Sequence, residues 1–103
     1  MGDPDERKEF EMKNFTLTIR RKKWKVNFVR SADIRGSWGE CDDPSARSPK
    51  ILVWKNAPRR ALVNTLLHEV LHAVRPELSE EAVTETANVL ERALNRVGYE
   101  IKE

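Results

Sequence analysis

Apolar and polar positions alternate in two short runs near the start of the chain. In FTLTIR the apolar positions are Phe15, Leu17 and Ile19; in WKVNFV they are Trp24, Val26 and Phe28. A period of two, carried by aromatic and branched residues, predicts two strands. The intervening RKK is short enough for a hairpin. Residues 30 to 49 hold glycines at 36 and 39 and prolines at 44 and 49. That composition predicts a loop around a short irregular strand near Trp38 to Cys41. KILVW follows, a compact apolar run between Pro49 and Asn56, and predicts a third, well-buried strand.

From residue 56 the period becomes helical. Asn56 is a candidate cap and Pro58 suits a first turn. Leu62, Leu66 and Val70, with Val63, Leu67, Leu71 and Val74, form a broad apolar face, and Pro76 stops the helix. A second helix is expected from Ser79, a good cap, with Glu80 and Glu81 at the positive end of its dipole. Ala82, Val83, Ala87, Leu90, Leu94 and Val97 supply its buried side, and Gly98 ends it.

These elements predict an α+β domain: a small sheet of three to four strands packed on two antiparallel helices. With 103 residues one domain is expected. We place it at residues 15–103, after a loose charged tail over residues 1–14. Charged residues make up 35% and apolar residues 39%, yet the apolar ones sit in periodic runs, which excludes disorder as the main reading. The single cysteine, Cys41, cannot form an internal disulfide and suits a reducing compartment. No apolar run approaches the roughly 20 residues that span a bilayer. The polar start has no secretory signal pattern. A cytoplasmic location and no membrane partner are the expectations. The net charge of +2 is too small to imply nucleic acid. Arg20 to Lys25 holds five basic residues, but no series of stacking aromatics accompanies them, so a solvated hairpin tip is favoured over a nucleic-acid partner.

The candidate chemistry lies in NTLLHEVLHAV, residues 64 to 74. Both histidines of the chain fall there, four positions apart, as His68-Glu69-x-x-His72. On a helix these imidazoles lie one turn apart on one face and can share a tetrahedral zinc ion. Glu69 is turned by about 100° from His68, so it can reach a water on the metal without being a ligand. Zinc lowers the pKa of such a water to about 7 and the glutamate takes its proton. The competing reading is two core histidines and one exposed glutamate. A short pattern of this kind also arises by chance.

A catalytic zinc wants a third protein ligand and one open position. There is no third histidine, so the candidates are acidic residues or Cys41. The segment after the first helix offers Glu77, Glu80, Glu81 and Glu85. Glu81 and Glu85 are one turn apart on one face. Glu81 as ligand would leave Glu85 to accept a ring N–H from His68 or His72. Glu85 as ligand is the main rival and Glu80 is next. First-turn acids also need no metal to explain them.

HEVLH followed by a helix containing EAVTE resembles the gluzincin metallopeptidases, and in size and element order their minimal members, the minigluzincins, and small phage and prokaryotic HExxH proteins. The resemblance covers about residues 39 to 97. It implies that His68, His72 and Glu81 bind zinc, that Glu69 is general base and acid, and that Glu85 orients a ligand. Two departures stand out: the gap from His72 to Glu81 is very short, and Glu85 stands where Asp is more usual. SprT-like proteases and metzincins are disfavoured, since both use a third histidine. In peptidases of this kind an edge strand beside the active helix pairs with extended substrate; by position that is Ser37 to Asp42. Tyr99 and Arg75 are the candidate oxyanion donors. Cys41 is first a buried apolar residue, and secondarily a candidate thiolate closing the fourth zinc position in a latent enzyme.

The expected function is a zinc-dependent endopeptidase acting on peptides or unfolded protein segments. The alternatives are a catalytically silent metal-binding module, in which zinc staples a small fold, and a nucleic-acid or protein adaptor using the basic hairpin.

Overall fold

A computed structural model of the chain describes residues 13–30 and 37–98. It is an α+β domain of four strands and two helices. In chain order these are β1 (Phe15–Ile19), β2 (Lys22–Val29), β3 (Gly39–Cys41), β4 (Lys50–Trp54), α1 (Arg59–Val74) and α2 (Glu80–Arg96). The sheet order is β1-β2-β4-β3, so β3 is one edge and β1 the other.

The β1–β2 hairpin turns at Arg20–Arg21, and β2 starts at Lys22 rather than at Trp24 as expected. Ile19 pairs with Lys22 across a two-residue turn in which Arg20 and Arg21 both have positive φ, 52° and 68°. Positive φ at both central positions matches the right-handed twist of hairpin strands. Lys22 turns inward: its Nζ donates to the carbonyls of Pro44 at 2.7 Å and Ala46 at 3.1 Å. One cation of the basic cluster therefore fastens the β3–β4 loop.

β2 and β4 pair in parallel, with Val26 opposite Ile51 and Phe28 opposite Val53. Their side chains on one face, Trp24, Val26, Ile51 and Val53, are fully buried and join Leu62 and Ala73 of α1 in the core. Period two in the chain thus becomes one buried sheet face. Leu17, Ile19 and Phe28 pack on its margin, whereas Phe15 is exposed. The expected tail over residues 1–14 lies outside the described residues up to residue 12. Within them, Asn14 accepts a hydrogen bond at its Oδ1 from the Phe28 backbone N–H at 2.8 Å.

α1 begins after Pro58, and no side chain caps it, so Asn56 does not serve as the expected cap. Its most buried stripe is Leu62, Thr65, Glu69 and Ala73. α2 is capped as expected: Ser79 Oγ accepts from the Ala82 N–H at 3.0 Å. Only Val83 and Ala87 of α2 are buried. Leu90 is exposed, and Val97, expected inside, is 80% exposed. Gly98, at φ 88°, follows the end of the helix. Asn64 Nδ2 donates to Asn88 Oδ1 and to Glu91 Oε1, while His68 and His72 meet Glu80. Early α1 thus meets late α2 and the reverse, as antiparallel packing requires. Among the described residues, no helix is long and apolar enough to cross a membrane.

Candidate metal centre

His68 and His72 project from the flank of the buried stripe of α1, about 40° apart around its axis. Their ring centroids are 4.8 Å apart. Both rings face the first turn of α2. Nε2 of His68 lies 2.7 Å from Oε2 of Glu80, and Nε2 of His72 lies 3.0 Å from Oε1 of the same carboxylate. Donor atoms of these three residues all lie within 4.8 Å of one another. Around a tetrahedral zinc, nitrogen and oxygen ligands stand about 3.4 Å apart, given bond lengths near 2.1 Å. At their present separations the three residues could hold a divalent ion. The Glu80 side chain is 70% exposed. With a metal bound there, that exposure would leave a fourth coordination position open to solvent.

Glu80, not Glu81, therefore stands at the imidazole pair. The reason is the helix rotation of about 100° per residue. Val83 and Ala87 define the side of α2 that faces α1. Glu80 falls about 60° from Val83 and about 20° from Ala87. Glu81 and Glu85 each fall about 160° from Val83, on the opposite side. Both are exposed, and they line a groove together with Glu80, Thr84, Asn88 and Arg92. The expected role of Glu85, accepting a ring N–H, has no geometric basis from there.

Glu69 occupies the buried stripe itself and is only 9% exposed. It is covered by β3, which crosses α1 at Gly39. A methyl group on Gly39 would stand 2.6 Å from Cγ2 of Thr65, 3.0 Å from Cγ of Glu69 and 3.1 Å from its Oε2. The glycine suits this close approach, because a methyl group there would push the Thr65 and Glu69 side chains aside. Burial pushes the Glu69 carboxyl up, His68 and His72 draw it back, and Glu80 and Glu40 add to the rise. Glu69 has no hydrogen-bond partner among the described residues. It lines two neighbouring cavities. One, of about 390 Å³, includes Trp38, Gly39, His68 and Glu80; the other, of about 720 Å³, includes Cys41, Asp43, His72 and Pro76.

The edge expected at Ser37 to Asp42 is present as β3. The Trp54 N–H donates to the Trp38 carbonyl at 2.8 Å, and the Asp42 N–H to the Lys50 carbonyl at 3.0 Å. Alternation along an antiparallel ladder then turns the backbone groups of Gly39 and Cys41 toward the open edge. Ser37 Oγ already donates to the Gly39 carbonyl at 2.9 Å.

The remaining expected site residues are dispersed. Arg75 is ion-paired through its Nε to Glu77 on the exposed turn between the helices. Tyr99 lies outside the described residues. Cys41 is not in the ligand group: its thiol donates to the Asp42 carbonyl at 3.3 Å. Burial, and then the charges of Glu69, Asp42 and Asp43, push that thiol up to about 12. Such a group is a protonated thiol at neutral pH, in keeping with the first reading of Cys41 as a partly buried apolar residue. Of the tryptophans, Trp24 is core and Trp38 is exposed beside the smaller cavity. Gly39 and Thr65 were not anticipated; a lone glycine opposite a small helical residue carries no periodic signal.

Comparison of the chain with protein-family models, with curated proteins and with solved structures gave no match.

Proposed function

We propose that this chain is a zinc-dependent peptidase acting on extended or unfolded peptide segments, with His68, His72 and Glu80 as the metal ligands and Glu69 as general base and acid. The observation that carries the reading is one carboxylate set against both imidazoles, 2.7 and 3.0 Å away, beside a nearly buried glutamate. Zinc bound there would supply Lewis acidity toward a carbonyl and toward water. The chain supplies the rest. The open edge of β3 offers Gly39 and Cys41 backbone groups to an extended peptide, an affinity tolerant of sequence. Glu69, raised by burial, is suited both to take a proton from the attacking water and to return it to the leaving amine. β3 passes close over its side chain at Gly39.

The test is Glu69→Gln. Loss of general acid–base catalysis should lower peptide cleavage by about 10²–10⁴-fold, with zinc affinity and folding retained. Cleavage that persists in this variant contradicts the reading.

A second reading is favoured by one observation: α2 buries only Val83 and Ala87. A metal joining Glu80 to α1 would then mainly staple α2 to the domain. In that case the wild type cleaves no peptide, and chelation releases α2.

A further inference from the structure

We infer that the sheet face turned away from the helices binds the phosphate backbone of duplex nucleic acid, without regard to base sequence. The strand registers build this face. Val26, Ile51 and Val53 are buried on the side that meets α1, and a Cβ at Gly39 would point at Thr65 and Glu69. Alternation therefore turns Lys23 and Lys25 of β2 and Lys50 of β4 to the opposite side, where all three are exposed. Exposed Thr18 pairs with Lys23, exposed Thr16 with Lys25, and Lys25 lies opposite Lys50. The result is a flat grid of hydroxyls and ammonium groups. Side chains of these two kinds are the ones that contact phosphate oxygens.

Three features set charge on this face against local stability. Lys25 and Lys50 are like charges directly opposite each other on neighbouring strands, a destabilising pairing. Asp42 offsets Lys50, at 3.3 Å, but Lys23, Lys25 and Arg21 have no hydrogen-bond or ion-pair partner among the described residues. At the end of the hairpin, Arg20 and Arg21 both hold positive φ, a conformation that Asn-Gly adopts at lower cost. A polyanion laid along the hairpin offsets all three costs.

The chain alone favours a solvated hairpin tip. The structure changes that picture by turning Lys22 inward and by bringing Lys50 beside Lys25 from a distant part of the chain. Acidic groups gather elsewhere, at Glu40 and Asp42 toward the β3 edge and at Glu81 and Glu85 on α2. The net charge of +2 sums these separate regions. A duplex would thus follow the β1–β2 hairpin and avoid β3. A lipid surface fits less well, because the grid presents no large apolar side chain to bury in a bilayer.

The test is fluorescence anisotropy of a labelled short DNA duplex with the full chain. Contacts to about three phosphates predict that affinity falls about 40-fold between about 50 and 200 mM KCl. In Lys23→Gln/Lys25→Gln the logarithmic salt slope should shrink by about 2, equally on duplexes of unrelated sequence. Its urea midpoint should hold or rise, since one like-charge pair is gone. Arg20→Asn/Arg21→Gly should raise the urea midpoint and still weaken the duplex severalfold, which a purely structural role for the arginines would not do. The proposal is overturned by duplex affinity that is absent at low salt, indifferent to salt, or retained in either variant. Tighter binding to phosphatidylserine vesicles or to polyglutamate than to the duplex overturns it as well.

Discussion

Helices α1 and α2 are almost equal in length, 16 and 17 residues, and are held in very different ways. α1 lies between the sheet and α2. It buries Leu62, Thr65, Glu69 and Ala73, and packs against β3 and β4. α2 packs chiefly on α1 through Val83 and Ala87, and its outer side is charged. The candidate centre joins the two: the imidazoles and the base come from the anchored helix, and the carboxylate ligand comes from the lightly held one. In the proposed reaction the base would thus sit on the firmly anchored helix and one metal ligand on the lightly held one.

The largest effect that separates the two helices should come from their cores. Trp24→Ala removes the largest fully buried side chain beneath α1 and should cost about 3–5 kcal/mol in urea unfolding. Val83→Ala, beneath α2, should cost about 2 kcal/mol. Equal losses would mean that α2 is as firmly anchored as α1. Next is the crossing of β3 over α1. Gly39→Ala should cost about 1–2 kcal/mol, because its methyl group meets Thr65 and Glu69. Thr65→Ala in the same chain should restore part of that loss, and thermal unfolding of the three variants checks it. If the double variant is no better than Gly39→Ala alone, the contact with Thr65 is not what limits the approach.

The smallest effect concerns Cys41, on the same crossing strand. Its folded thiol titrates near 12 against an ordinary 9.0. Below pH 9 both folded and unfolded chains carry the proton, so there is no difference to lose. Between about pH 9 and 12 the unfolded chain gives it up and the folded chain keeps it, so stability falls as pH rises through that window. The fall should be shallower in Cys41→Ala, measured by urea unfolding at pH 8 and pH 10.5. Parallel curves for the two proteins would contradict the burial-raised thiol.

Much of this arrangement was legible along the chain, because it rests on local periodicity. Period two in Phe15–Ile19 and Trp24–Phe28, and the apolar run at Ile51–Val53, mark strands before any contact is known. Ser79 marks a helix start through its hydroxyl. What was not legible depends on tertiary packing. The Arg20–Arg21 turn lacks the Asn-Gly signature of its type, so no local signal places the start of β2 at Lys22. The parallel pairing of β2 with β4 needs a connection that no local pattern reports. The carboxylate that stands against both rings is Glu80, the third of the candidates, for a related reason. Glu81 and Glu85 share a face, but the buried stripe of Val83 and Ala87 shows that it is the outer one. Weighing the acidic residues by their angle to that stripe, rather than by spacing to each other, selects Glu80. Leu90 and Val97 diluted the stripe, since α2 runs past the end of what covers it.

The central claim, that two rings of α1 and the Glu80 carboxylate of α2 share one zinc ion, is tested most directly by chelator competition. The zinc dissociation constant should be measured for wild type, Glu80→Ala and Glu81→Ala side by side. Residues that merely support a ligand change metal affinity by about 10–100-fold, so removal of a ligand should reach or exceed that range. We expect Glu80→Ala to weaken zinc at least that much and Glu81→Ala to match wild type. Wild-type affinity in Glu80→Ala, or a loss confined to Glu81→Ala, would contradict the centre described here.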